Sequence, residues 1–249
     1  MSVVLETRSL VKRFGGITAT RDVSLRVQHG ARHALIGPNG AGKTTLINQL
    51  TGVLAPSEGS IWLDGDEITR VAAHRRVRRG IVRTFQVNQL FGGLTPLKAL
   101  ALALSQCDGS AAGWWHPLGR DPRVAERCEH LLDEFHLRDV MNRRIAELPY
   151  GKQRLLEIAL AIAGRPRVLL LDEPAAGVPA GDRHEIFDSL GRLPADVSVL
   201  LIEHDMDLVF AFAHQVTVLV DGAIYAEGDV ASISNDPRVK AVYLGTGHG

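Results

Sequence analysis

Short apolar runs rich in β-branched residues recur along the chain, each followed by a turn signal and then a stretch with helical spacing. Such alternation marks a sheet flanked by helices, so the class is α/β. Strands are predicted at Val23–Val27, His33–Ile36, Ser60–Leu63, Val168–Leu171, Val197–Ile202 and Val216–Val220. Runs as uniformly apolar as Val168–Leu171 suit central parallel strands, which are covered on both faces and need not alternate.

Between about Leu90 and Arg165 the strand signal stops and helical spacing takes over, at Pro96–Leu104, Arg123–Phe135 and Lys152–Ala163. The pattern predicts one domain with a core of residues 1–89 and 166–249 and an inserted helical subdomain at about 90–165. Inside the insert, Ser105–Asp121 carries Gly109, Gly113, Pro117 and Gly119, all turn formers. The adjacent Trp114 and Trp115 suit packing of that long loop onto its own subdomain better than a docking knob.

Bulk properties narrow the function. With 249 residues, 45% of them hydrophobic, the chain can bury a substantial core. Lys plus Arg and Asp plus Glu both number 28, so no basic excess favours nucleic acid as a partner. The basic run His74–Arg79 reads as a solvated helix face. Cys107 and Cys128 lack the close spacing of a metal or redox motif and read as reduced thiols. No signal peptide is visible at the N-terminus, and the longest apolar runs fall far short of the ~20 residues that cross a bilayer as a helix. A membrane role therefore has to come through a partner.

Three segments carry chemistry. Gly37-Pro38-Asn39-Gly40-Ala41-Gly42-Lys43-Thr44-Thr45 fits the phosphate-binding pattern GxxxxGK[ST] and lies between a strand ending at Ile36 and a helix predicted over Lys43–Leu50. Backbone N–H groups and the helix dipole there converge on a polyanion, with Lys43 bridging the β- and γ-phosphates and Thr44 ligating Mg²⁺. Val168–Leu171 delivers Asp172 and Glu173 at the carboxyl end of a buried strand, the edge at which open α/β sheets bind ligands. Asp172 would hold the magnesium shell and Glu173 would direct the attacking water, although two acids in isolation also suit capping of the next segment. His204 follows the strand ending at Ile202 and should emerge at the same edge, within reach of a γ-phosphate.

Together these segments resemble the ABC ATPase family over essentially the whole chain, from Leu5 to Gly245. The resemblance implies a P-loop NTPase (RecA-like) core, an inserted α-helical subdomain and an antiparallel β region near the N-terminus. It implies ATP and Mg²⁺ as cofactors. Phe14 matches the aromatic that stacks on the nucleotide, and Gln86, in Arg83-Thr84-Phe85-Gln86, matches the glutamine that senses Mg²⁺ and the γ-phosphate. Leu148-Pro149-Tyr150-Gly151-Lys152-Gln153-Arg154 matches the signature segment, whose Tyr150, Gly151 and Gln153 face the nucleotide of an opposite subunit. His204 matches the switch histidine. Finer wording, including Asp172-Glu173-Pro174-Ala175-Ala176-Gly177 and Val242-Tyr243-Leu244-Gly245, is similar to the ATP-binding subunits of branched-chain amino acid importers. The implied partners are a second ATPase subunit, identical or paralogous, permease subunits in the membrane and an extracytoplasmic solute-binding protein. The implied place is the cytoplasmic face of the membrane, through the permeases.

Two positions depart from that pattern. Pro149 stands where the family usually has a serine whose hydroxyl reaches the γ-phosphate, and Pro179 stands where an Asp or Asn commonly bonds across the dimer. Proline offers neither a hydroxyl nor an N–H. A low-turnover regulatory subunit is thus an alternative, against which the intact Lys43, Asp172, Glu173 and His204 weigh. A soluble ABC protein of translation or repair, the other alternative, would bring a tandem ATPase or a long coiled-coil arm, and neither is seen.

Overall fold

The computed structural model describes residues 2–84, 90–107 and 121–244. The chain groups into two compact units: one of Met1–Arg83, Arg167–Glu173 and Pro194–Gly249, the other of Thr84–Pro166 and Pro174–Leu193.

The first unit holds two sheets. In the antiparallel one, β1 (Val3–Phe14) pairs with β2 (Ile17–Val23), β3 (Arg26–Gln28) and β5 (Glu58–Leu63), and the short β6 (Asp66–Glu67) extends it. This is the N-terminal antiparallel region that the resemblance implied. The run Val23–Val27 is broken here: β2 stops at Val23 and β3 starts at Arg26. The Thr7 hydroxyl fixes the break by donating to Val23 O (2.8 Å) and accepting from Leu25 N (2.8 Å). Strand β1 escaped the sequence pattern because its period is interrupted. Ser9 takes φ 47°, and the β1–β5 register shifts between Arg8 and Val11.

The second sheet runs β11–β10–β4–β9–β8–β7, formed by β4 (Arg32–Ile36), β7 (Ile81–Arg83), β8 (Val168–Asp172), β9 (Ser198–Ile202), β10 (Gln215–Val220) and β11 (Ala223–Asp229). All neighbours are parallel except β10 and β11. Every residue of β4, β8 and β9 is buried, as the apolar runs Ala34–Ile36, Val168–Leu171 and Val199–Ile202 require, while the buried Arg32 and His33 of β4 hydrogen-bond to Val197 O and Thr217 Oγ1. Helix α1 (Lys43–Thr51) lays Leu46, Ile47 and Leu50 into a core shared with Leu5, Leu25, Leu35, Leu170 and Leu200. Each such side chain, fully buried, contributes about 2 kcal/mol.

The basic run behaves differently from a solvated face at one position. In α2 (Ala73–Arg78) the side chains of His74, Arg75 and Arg78 are exposed, but Arg76 is 1% exposed. Its guanidinium donates to Gln49 O (2.7 Å) and Leu50 O (2.8 Å), closing the carbonyl end of α1, and to Thr69 O and Val71 O. Burial lowers its pKa to about 10.

The second unit is helical: α3 (Pro96–Cys107), α4 (Pro122–Glu134), α5 (Tyr150–Ala163) and α6 (Ala180–Gly191). Asp121 caps α4 by accepting from Arg123 N (2.9 Å), with Pro122 in the first turn, and Val124, Cys128, Leu131 and Leu132 form its buried face. Burial raises the Cys128 thiol pKa, which fits an inert core cysteine. Trp114 and Trp115 lie outside the described residues. The remaining helices, α7 (Met206–Phe212), α8 (Val230–Asn235) and α9 (Pro237–Leu244), belong to the first unit. Among the described residues, no helix is long and apolar enough to cross a membrane.

Candidate functional site

Strand order builds the site. β4 and β8 flank β9, and all three run parallel, so the residues following them emerge at one sheet edge. Registration is close there, with Asp172 paired to Ile202 across β8 and β9 and Glu173 N donating to Ile202 O (2.9 Å). After β4 the chain enters the glycine loop, and after β9 it reaches His204.

The loop needs its glycines. Gly37 has φ 153°, and a Cβ on it would lie 2.1 Å from Leu219 O. Gly42 precedes α1 with φ 98° and offers no side-chain cap, and a Cβ on it would lie 2.3 Å from Ala19 O. The first N–H groups of α1 therefore point out of the helix end with only backbone before them, which is the arrangement that binds phosphate. Lys43 Nζ curls over the loop, donating to Gly37 O (2.6 Å) and Pro38 O (3.0 Å).

Residues 39–45 line a cleft of about 220 Å³ together with Ala19, Asp172, Glu173 and Ile202. Thus Asn39, Gly40, Ala41, Gly42, Lys43, Thr44 and Thr45 meet the two acids in one hollow. Burial pulls the Lys43 ammonium below its ordinary pKa, while Glu173 and Asp172 push it back up. Glu173 holds φ 47°, an unusual backbone for a side-chain-bearing residue, and its Oε1 lies 4.0 Å from His204 Nδ1. His204 is itself anchored by its N–H donating to Glu203 Oε2 (3.0 Å), and its ring is largely exposed. Phe14 stands half-exposed at the end of β1 with Lys12 Nζ 5.2 Å from its ring centroid, and is not among the residues lining the cleft. Gln86 lies outside the described residues.

The donor set suits Mg²⁺ and a triphosphate. Thr44 and Asp172 are hard oxygen donors on one cleft, the pattern of a metal bound by one or two protein oxygens with phosphates supplying others.

Two residues that the sequence did not mark as functional also meet here. Arg83 Nη2 donates to Asp172 Oδ2 and Nη1 to Asn48 Oδ1, both at 2.6 Å. Their only sequence signal was the place of Arg83 in Arg83-Thr84-Phe85-Gln86 and of Asn48 four residues after Thr44.

The signature segment is in the other unit. Pro149 is the N-cap residue of α5, with no side-chain cap; Tyr150 is partly exposed and Gly151 is buried. A Cβ on Gly151 would meet Asp182 Oδ2 at 3.5 Å. Gln153 turns inward, its Nε2 donating to Leu148 O (2.9 Å). The fully buried Arg154 ties α5 to the segment after Glu173, its Nε donating to Pro174 O (3.0 Å) and its Nη1 to Glu157 Oε2 (2.6 Å). Pro179 precedes α6 as Pro149 precedes α5, again with no side-chain cap.

A glycine loop feeding a helix, two acids on the next strand but one and a signature helix together define an ATP-binding cassette, and comparison with known proteins agrees. Residues 20–176 match the family model "ABC transporter", and residues 226–249 match "Branched-chain amino acid ATP-binding cassette transporter". The chain belongs to the ABC transporter ATP-binding family, within its branched-chain amino acid subgroup. It is similar to the high-affinity branched-chain amino acid transport ATP-binding protein BraF of Pseudomonas aeruginosa, at 41% identity over 249 residues, 97% of this chain and 98% of the relative. With LivG of Escherichia coli the identity is 36% over 251 residues, 97% and 98%. The crystal structure of an ATP-binding cassette of an ABC transporter in its ADP conformation superposes with a TM-score of 0.85 at 32% identity, over 98% of this chain and all of that one. The chain is accordingly an ATP-binding, ATP-hydrolysing subunit that works with Mg²⁺.

Proposed function

We propose that this subunit powers uptake of branched-chain amino acids or chemically similar solutes, bound to the cytoplasmic side of the membrane through permease subunits. A solute-binding protein outside the membrane would deliver the cargo. The observation that carries this reading is the cleft in which Lys43, Thr44, Asp172 and Glu173 converge, in a chain of the branched-chain subgroup.

In this reading two such subunits, identical or paralogous, hold two ATP molecules head to tail. Each glycine loop faces the other's Gly151 segment. The amides at the start of α1 and the Lys43 ammonium bind the phosphates, and Thr44 and Asp172 hold the metal, with Gln86 as a further ligand. Bound magnesium supplies charge stabilisation at the phosphoryl oxygens. Glu173 orients water toward the γ-phosphorus and accepts its proton, and His204, 4.0 Å away, contacts the γ-phosphate. Phe14 stacks on the base, while Tyr150, Gly151 and Gln153 serve the partner's nucleotide.

A specific observation favours a second reading, a low-turnover regulatory subunit: prolines precede both α5 and α6, and in the proposed dimer both would face the partner subunit without a side-chain donor. Phosphate release by the assembled complex with and without Glu173→Gln separates the two. A working ATPase loses its turnover, whereas an already inert subunit is indifferent.

A further inference from the structure

We infer that Arg83 is a positioning residue that sets the spacing between the two magnesium-facing oxygens, by clamping the helix that carries Thr44 to the strand that carries Asp172. The inference rests on the reading of Thr44 and Asp172 as metal ligands and deepens it.

Three observations converge. Both prongs of the Arg83 guanidinium are engaged at 2.6 Å, one on Asp172 Oδ2 and one on Asn48 Oδ1. Asp172 is buried and the Arg83 side chain is only 12% exposed, so the pair is largely shielded from water and salt. Thr44 and Asn48 lie four residues apart in α1 and so share one helix face, one turn from each other. Arg83 thereby bridges from the face of α1 bearing Thr44 to the carboxylate at the end of β8. It reaches there because β7 ends at Arg83, alongside Leu170 of β8, two residues before Asp172.

A planar fork locked at both ends fixes direction as well as distance, which an ammonium cannot do. Partners that orient a metal's ligands in this way typically change metal affinity ~10–100-fold when removed. The same bridge ends three residues before Gln86 in the chain.

The test is Mg²⁺-dependent retention of a fluorescent ATP analogue by the purified full-length chain, titrated from EDTA into Mg²⁺, with Asp172→Asn as reference. Arg83→Ala should raise the Mg²⁺ midpoint at least ~10-fold while leaving retention in EDTA unchanged, which a collapsed fold would not do. Arg83→Lys should recover only part of the shift, and Asn48→Ala should move the midpoint the same way by ~3–10-fold, supporting the clamp even should Arg83→Ala fail to fold. If Asp172→Asn moves the midpoint while Arg83→Lys and Asn48→Ala do not, the clamp is wrong and the metal reading stands. A lower midpoint in the Arg83 variants also overturns it, because Arg83 would then compete with the metal. If Asp172→Asn itself leaves the midpoint unmoved, the metal reading fails first.

Discussion

After β4 and β8 the chain presents its chemistry as side chains, Lys43, Thr44, Asp172 and Glu173 around one cleft, whereas at the start of α5 it presents a proline, a glycine and bare backbone. The first region is a full set of charges and oxygen donors. The second offers no side-chain hydroxyl at residue 149, and keeps the donors that no substitution there can remove, the N–H groups of the first turn of α5. Under the proposed function, nucleotide capture and bond cleavage fall to the first region, while the second would serve the partner's nucleotide through backbone dipoles.

The largest effect falls on the first region. Glu173→Gln should lower phosphate release by the assembled complex ~100–10,000-fold while the chain still retains ATP. Retention lost together with turnover would show that Glu173 holds nucleotide and does not act on water.

Gly151→Asp strikes the second region alone. A side chain there meets Asp182 at contact distance and sets a second carboxylate over the amides of α5. Turnover of the complex should fall at least ~10-fold, the scale of lost charge stabilisation, with nucleotide retention by the isolated chain unchanged. Undiminished turnover would mean the signature backbone does not meet phosphate.

The smallest change is Pro149→Ser, which restores a capping hydroxyl to α5. Chain stability should rise by ~0.5–1 kcal/mol in a denaturant titration, and turnover should rise a few-fold. A fall in both would show that α5 has been built around the proline.

The site was legible in the sequence where chemistry forces local composition. Gly37 and Gly42 occupy backbone positions that exclude a Cβ, and β8 and β9 are buried on both faces, so both left plain traces. What the sequence hid depends on contacts between distant segments. Arg76 read as surface charge and Arg83 carried no role of its own, yet one closes the end of α1 and the other grips Asp172, across 27 and 89 residues respectively. Strand β1 was hidden because the left-handed turn at Ser9 breaks its alternation, and the Val23–Val27 run misled because the Thr7 hydroxyl that splits it belongs to another strand.

The most direct test of the shared metal site is a double-mutant cycle between Thr44→Ala and Asp172→Asn, reading the gain in ATP retention that Mg²⁺ brings over EDTA. A single ion held by both oxygens predicts that either change removes most of that gain and that the double variant loses no more than the worse single one. Losses that simply add would contradict it, placing the two residues in independent sites.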